Sequence, residues 1–340
     1  MLLLQRFPGV IGVMAITTIV TAAGCSSEES PPAGPSASSA ASRAGCPAGD
    51  EVRTADELED RLAEAEPGDV IALAPGSYTG QFVVDRPGAA DAPILLCGDP
   101  TAVLDAAGAG DGYALHLDGV QHWRVEGITL RRGAKGLVLD GSSDNEIVDI
   151  VVEQTGEEAV HLRRHSSRNL VQGIHVVSAG SSRREIGEGI YVGSAESNWC
   201  TLTDCEPDRS DDNEIIDNLV EGTTAEPIDV KEGTSGGVLR GNRLDGSSAT
   251  EADSLIDLKG NGWTVEGTTG AASPGDGVAV FEILSGWGEA NVLRDNSFAV
   301  PSDAFAVQIF GDARSNGNVV ECSNIVTGGY GRTSNVDCSS

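Results

Sequence analysis

The tetrapeptide ALHL at residues 114–117 recurs as GLVL at residues 136–139 and as AVHL at residues 159–162. The copies are offset by 22 and then 23 residues, and apolar side chains alternate with variable ones in each copy. Such alternation is typical of a short β-strand with one buried and one exposed face. Because too little chain separates the copies for a crossover helix, successive units are expected to stack as coils of a solenoid.

The repeat continues along the chain, together with a second motif that falls between its copies. Units of about 22–25 residues therefore hold two or three strands, and longer offsets before residues 189 and 227 predict protruding loops. A leucine-rich repeat is disfavoured because its consensus is absent. A propeller is disfavoured because each blade needs about 40 residues or more, which exceeds the length of these units. The first motif continues as GIYV 189–192, PIDV 227–230, LIDL 255–258, FEI 281–283 and AVQI 306–309, and the second reads DNEIVD 144–149, SRNLVQ 167–172 and DNEIID 212–217.

A helix is predicted ahead of the first strands. Thr54 and Glu57 form a capping box, which begins a helix that we place at about residues 54–66. This helix, followed by PGDVIALAPGSY at residues 67–78, resembles the N-terminal end of pectate-lyase-like β-helix proteins. In that family, the helix covers the open end of the solenoid. The resemblance implies an all-β, right-handed parallel β-helix with an N-terminal capping α-helix for residues 46–340.

The N-terminal residues have the composition of an export signal. Arg6 precedes the apolar residues 8–23, and the sequence AAGC then ends at Cys25. AAGC resembles a bacterial lipobox, which implies cleavage before Cys25 and lipid attachment to its thiol, with an ordinary secretory signal as the alternative. We therefore expect a signal peptide at residues 1–24, a flexible Ser/Ala/Pro-rich tether at residues 25–45, and an extracytoplasmic protein anchored by lipid to the bacterial cell membrane.

Six cysteines remain when Cys25 is set aside, and an even number in an exported chain favours disulfides. Six cysteines allow fifteen pairings. We favour the pairing between cysteines that are close in sequence, which gives Cys46–Cys97, Cys200–Cys205 and Cys322–Cys338.

The chain is strongly acidic, with a net charge of −30 over 340 residues. Nucleic acid is excluded as a partner because its phosphates would be repelled. Binding of an acidic polysaccharide would need mediating cations, so either divalent cations are bound or the acidic residues serve solubility. We expect a monomer whose partner is a polysaccharide.

The repeat brings charged residues together on one outward face. Equivalent residues on neighbouring coils lie about 4.8 Å apart, so a column can be read down the repeat. The central outward column predicts Asp229, Asp257 and Glu282 on consecutive coils, with Lys231 and Lys259 alongside. Adjacent like charges are unfavourable unless they are compensated. Two compensations are open, namely a ladder of Asp–Lys pairs and a bound Ca²⁺.

The segment EPIDVKEGT at residues 226–234 resembles the acid-plus-lysine strand of calcium-dependent polysaccharide lyases on this fold. Those enzymes remove the proton α to a uronate carboxylate and then expel the 4-linked sugar. The resemblance implies Ca²⁺ as cofactor and a lysine whose pKa is lowered by cationic neighbours. From this resemblance together with the charged columns, we expect Lys231, Lys259 and Arg163 as catalytic residues and the carboxylates of Asp229, Asp257, Glu282, Glu226 and Glu188 as metal ligands.

Aromatic residues make up only 4% of the chain, so platforms for stacking sugars are sparse. We expect Trp263 and Trp287, which follow the acidic strands, and Tyr191 and His161, which lie in the outward column, to contact the glycan. The alternative is a non-catalytic glycan-binding or adhesin-like β-helix lipoprotein. Hydrolysis by paired carboxylates is disfavoured because the acid cluster and Gly-His turn of the hydrolases on this fold are missing.

Overall fold

In the computed structural model, each coil contributes one strand to each of three parallel sheets. Ten such coils stack within the described residues, which are 46–47, 51–328 and 330–340. The predicted signal peptide, Cys25 and the tether lie outside these residues. The prediction of an all-β parallel β-helix is confirmed. None of the described helices has the length and apolar character that a membrane crossing requires.

The chain passes through the first, second and third sheet in turn on each coil. The first sheet contains Glu51–Val52, Val70–Leu73, Ile94–Cys97, Trp123–Glu126, Glu146–Val148, Leu170–Gln172, Glu214–Ile216, Val238–Arg240, Thr264–Glu266, Val292–Arg294 and Val319–Val320. The second sheet contains Gly76–Thr79, Ala102–Asp105, Thr129–Arg131, Val151–Glu153, His175–Val176, Leu219–Val220, Arg243–Asp245, Thr269–Ala271, Ser297–Phe298 and Ile325–Val326. The third sheet contains Phe82–Val84, Tyr113–Asp118, Lys135–Asp140, Val160–Arg163, Ile190–Val192, Ile228–Val230, Ser254–Leu258, Asp276–Val280, Phe305–Ile309 and Arg332–Ser334.

Inward side chains of the three sheets fill one continuous core. In the third sheet, every second residue is apolar and buried, and burial of each such side chain contributes about 1.5–3 kcal/mol. One inward column shows the pattern along eight coils: Leu115, Leu137, Val160, Ile190, Ile228, Ile256, Val278 and Val307.

The second repeated motif spans the end of the turn that leads from the third sheet to the first, together with the first-sheet strand that follows it. Its asparagines stack inside the solenoid: Asn145 Nδ2 donates to Asn169 Oδ1, and Asn169 Nδ2 donates to Asn213 Oδ1, each at 3.1 Å. The same oxygens accept backbone N–H groups of the preceding coil. The motif recurs because these buried turns need a side chain that both donates and accepts.

A helix at Ala55–Ala63 lies at the N-terminal end of the solenoid, where Thr54 Oγ1 accepts the Glu57 N–H at 3.2 Å. Its buried Leu58 and Leu62 face the strands of the first coil. A second helix spans Glu196–Leu202, and short 3₁₀ helices span Arg184–Ile186 and Gly311–Ser315. The structure contains the three predicted disulfides, Cys46–Cys97, Cys200–Cys205 and Cys322–Cys338.

The register of the third sheet follows the predicted column up to Asp257. Tyr191 pairs with Asp229, and Asp229 pairs with Asp257. The assignment of the next coil was wrong, because its strand is Asp276–Val280 and Ala279, not Glu282, follows Asp257. Residues 277–283, GVAVFEI, offer apolar alternation in more than one frame, so the pattern alone did not fix where this strand ends.

Candidate functional site

Two insertions border the third sheet at the coil that carries Ile190–Val192. One contains the 3₁₀ helix Arg184–Ile186, and the other contains the helix Glu196–Leu202. They correspond to the loops predicted from the longer offsets. Between them lies a cleft of about 320 Å³, lined by Lys135, Glu157, Glu158, His161, Arg163, Arg183, Ile186, Tyr191, Ser194, Asn198, Thr201 and Leu202.

The floor of the cleft centres on Tyr191. The His161 ring packs against it edge to face, with the centroids 4.6 Å apart, and Lys231 Nζ lies 5.0 Å from its ring centroid. Burial, reinforced by the nearby Asp229 carboxylate, raises the pKa of Tyr191 well above its usual value. Tyr191 therefore presents a neutral phenol, which is a proton donor, across the physiological pH range.

A buried charge network lies directly beyond Tyr191. Asp229 is bound on one oxygen by Lys231 Nζ at 2.6 Å and on the other by Lys259 Nζ at 2.9 Å. Lys259 Nζ also binds Asp257 Oδ2 at 2.7 Å, and Ser254 Oγ donates to Asp257 Oδ1 at 2.8 Å. The ladder of Asp–Lys pairs considered from the sequence is therefore present, although it is buried rather than exposed.

The network changes the expected ionisation of the lysines. Burial alone would lower the pKa of Lys231, but the ion pair with Asp229 outweighs burial and raises that pKa. The pKa of Lys259 is raised in the same way, against its burial, by Asp229 and Asp257. The prediction of a lowered lysine pKa was wrong, because the carboxylates that bind each ammonium outweigh the neighbouring ammonium.

Two further carboxyl groups lie beside Asp229. Burial, followed by the negative charge of Asp229, raises the pKa of Glu188 to about 9 and that of Glu226 to about 8. One oxygen from each of Glu188, Glu226 and Asp229 lies within 4.8 Å of the other two, and a second such group joins Glu226, Asp253 and Asp257. Within the described residues, Glu188 Oε2 is buried without a hydrogen-bond partner. This donor set fits a hard divalent cation, which takes oxygen ligands.

Arg163 lines the cleft, but the structure does not bring it beside Lys231. The strand Ile190–Val192 separates the strands that carry the two residues. Asp140 holds the guanidinium at 2.6 and 3.0 Å, and Tyr113 Oη accepts a further bond at 3.0 Å. Burial disfavours the charged form of Arg163, but the ion pair with Asp140 outweighs the effect of burial and raises the pKa of Arg163. The residue therefore stays cationic.

Three predicted site residues lie outside the cleft lining, the buried charge network and both carboxylate groups. Trp263 is fully buried and donates from Nε1 to Thr234 Oγ1 at 3.2 Å, so its prediction as a sugar-binding residue was wrong. Trp287 is half-buried, with the Arg209 guanidinium 5.8 Å from its ring centroid. Glu282 accepts a hydrogen bond from Asn316 Nδ2 at 2.7 Å and belongs to neither carboxylate group.

The sequence did not lead us to predict Lys135 as a residue of the cleft. Lys135 Nζ binds Glu157 at 2.5 Å and also binds Glu158, whose Oε1 lies 3.4 Å from His161 Nδ1. Burial opposes ionisation of Glu158, but the neighbouring His161 and Lys135 outweigh it and lower the pKa of Glu158 to about 2. The signal was present, because Lys135 occupies the same column position as Glu158 one coil earlier.

No protein-family model matches the chain, and no curated protein does. Among solved structures, it resembles an alginate lyase from Paenibacillus sp. str. FPU-7, with a TM-score of 0.75, 28% identity, and coverage of 85% of this chain and 96% of that one. The pectate lyase Pel9A shares the fold with a TM-score of 0.56 at 13% identity over 83% of this chain and 75% of that one. PfbA, a surface adhesin of Streptococcus pneumoniae, matches with a TM-score of 0.56 at 12% identity, over 83% of this chain and 75% of that one. The chain is therefore similar to polysaccharide lyases and to an adhesin that share the parallel β-helix fold.

Proposed function

We propose that this protein is a monomeric polysaccharide lyase that cleaves a uronate-containing glycan by β-elimination. The observation that carries the proposal is the neutral phenol of Tyr191 in the cleft floor, flanked by His161 and Lys231. The likeness to an alginate lyase, which extends over 96% of that enzyme, supports the same reaction class.

β-Elimination requires a base for the α-proton, a proton donor for the leaving glycosidic oxygen, and positive charge near the carboxylate. Lys231 in its amine form takes the α-proton, and the Tyr191 phenol protonates the leaving oxygen. Because Asp229 raises the pKa of Lys231, only a small fraction of Lys231 is in the amine form at neutral pH, and this fraction grows as the pH rises. The raised pKa of Tyr191 preserves its phenol over the same range. The rate of product formation is therefore expected to rise with pH beyond neutrality.

The reaction is tested by incubating the purified chain with a panel of uronate polysaccharides and following the ultraviolet absorbance of the unsaturated product. We expect product from at least one polyuronate, and none from a neutral glycan of similar length. Retention of a polyuronate on the protein without unsaturated product at any pH would overturn the lyase proposal. That result would favour the glycan-binding function that the adhesin likeness suggests.

We propose Ca²⁺ as the cation that Glu188, Glu226 and Asp229 hold. The support is the buried, unpaired Glu188 Oε2 beside two other carboxylates. When bound, the ion supplies positive charge that helps to acidify the α-proton of a uronate.

Calcium is expected to raise the thermal midpoint of the chelator-treated protein, because an ion that binds only the folded state stabilises it. Glu188→Gln should abolish this rise, since an amide supplies a weaker ligand. Glu185→Gln is the matched control, because Glu185 is exposed and lies on the same insertion. Equal calcium responses of wild type and Glu188→Gln would contradict the assignment, as would a wild type that does not respond.

We also propose that the protein is extracytoplasmic and anchored to the cell membrane by lipid on Cys25. The AAGC sequence and the Ser/Ala/Pro-rich residues that follow it support this location. Incorporation of labelled fatty acid by the wild type, with loss in Cys25→Ser, tests the anchor. Label retained by Cys25→Ser would refute it.

A further inference from the structure

We infer that Asp208 is a positioning residue that holds His161 against Tyr191, and this inference rests on the proposed function. Asp208 lies after the helix Glu196–Leu202, in the insertion that forms one wall of the cleft. Its side chain is fully buried, although it is outside the set of residues that line the cleft. A buried carboxylate is costly unless it is fully hydrogen-bonded.

Four hydrogen bonds satisfy the Asp208 carboxylate. Oδ2 accepts from the Arg164 N–H at 2.9 Å and from Ser194 Oγ at 2.6 Å. Oδ1 accepts from the His165 N–H at 2.9 Å and from Ser210 Oγ at 2.8 Å. Hydrogen bonds to an ionised acceptor are roughly twice as strong as neutral ones. Asp208 therefore ties its own loop to the turn that follows the strand Val160–Arg163.

The same bonds extend through Ser194 and Gly193 to His161, which packs against Tyr191. The Ser194 hydroxyl donates to Asp208, and the Ser194 carbonyl oxygen accepts a hydrogen bond from Trp199 Nε1 at 2.8 Å. The preceding carbonyl, that of Gly193, accepts from His161 Nε2 at 2.9 Å, which orients the ring that packs against Tyr191. Displacement of the Gly193–Ser194 segment would therefore release the His161 ring.

Asparagine cannot replace Asp208 in this arrangement. Each oxygen accepts one hydroxyl and one backbone N–H, and a backbone N–H cannot turn away as a hydroxyl can. An amide NH₂ would therefore face a fixed donor in either orientation. A misplaced catalytic group costs up to about a hundredfold in rate, so we expect Asp208→Asn to lower kcat by about tenfold to a hundredfold, with little change in KM.

The test compares kcat and KM of the full chain with Asp208→Asn and with the control Asp204→Asn, since Asp204 is exposed on the same loop. Ser194→Ala removes a single donor and should lower kcat in the same direction by a smaller factor. This milder variant keeps the inference testable should Asp208→Asn fail to fold. A kcat within twofold of wild type in folded Asp208→Asn, or a loss confined to KM, would overturn the inference.

A second readout does not depend on catalysis. The His161 Nε2–H that donates to Gly193 should give a slowly exchanging imidazole proton signal in NMR, assigned by its absence in His161→Gln. We expect Asp208→Asn to lose this signal and Asp204→Asn to keep it, and a retained signal in Asp208→Asn would sink the positioning role. Absence of product from the wild type would instead reject the proposed function, while this NMR comparison would still decide the role of Asp208.

Discussion

Tyr191→Phe is expected to lower the rate of unsaturated product formation by about 10²–10⁴-fold, the range that a positioned general acid contributes. The substitution removes only the phenolic oxygen and keeps the ring that packs against His161. The fold should persist, because the ring fills the same volume beside the same neighbours. Initial rates at saturating polyuronate, together with a thermal midpoint for each protein, measure both effects.

Tyr330→Phe provides the matched control, since Tyr330 is 75% exposed and outside the cleft lining. It should retain the wild-type rate. Lys231→Met should lose activity as severely as Tyr191→Phe, because it removes the proposed base. A Tyr191→Phe protein with more than about a tenth of the wild-type rate would contradict the general-acid role, since that residual rate lies above the expected range.

The repeat made much of this arrangement predictable from the sequence. Because strand side chains alternate, the spacing of Asp229 and Asp257 was enough to place them on one face and on neighbouring coils, as the structure confirms. The lysines two residues further on were likewise placed beside the carboxylates. Periodicity therefore conveys position along the third sheet and the direction of a side chain.

Other features depend on information that periodicity does not contain. The burial of Trp263 reflects Gly237 on the neighbouring coil, where a Cβ would lie only 2.3 Å from the indole ring. The pKa of Lys231 depends on distances to particular oxygens rather than on a count of nearby charges. Asp208 accepts hydrogen bonds from the backbone of Arg164 and His165, which lie 44 and 43 residues away in sequence. No local sequence pattern predicts contacts over that separation.

The charge network also explains how so acidic a chain keeps cations in its cleft. Lys135 and Arg163 in the cleft lining, and Lys231 beside Tyr191, are each paired with at least one carboxylate. The net charge of −30 therefore describes the molecule as a whole and does not describe the cleft. Such pairing fixes the lysine and arginine side chains in place before any glycan binds, which lowers the ordering cost of binding.

Asp229→Ala is expected to lower the free energy of unfolding by about 3–5 kcal/mol, the cost typical of removing one partner from a buried ion pair. Asp229 is 2% exposed and binds both Lys231 and Lys259, so its loss leaves two ammonium groups short of a partner. Denaturant unfolding of both proteins in chelator measures the difference. Asp118→Ala is the control, because Asp118 is exposed on the same sheet.

The dependence on pH separates this effect from loss of packing. Burial opposes ionisation of Asp229, but Lys231 and Lys259 outweigh it and lower the pKa of Asp229. A carboxyl group whose pKa is lowered on folding stabilises the protein above its unfolded pKa, and that stabilisation is lost as the pH falls. The difference in the free energy of unfolding between wild type and Asp229→Ala should therefore become smaller as the pH falls. The double variant Asp229→Ala/Lys231→Met should recover part of the lost stability, because it removes the ammonium whose ion-pair partner is Asp229, whereas Lys259 keeps Asp257. A difference in the free energy of unfolding that is independent of pH and unrelieved by Lys231→Met would assign the effect to packing alone.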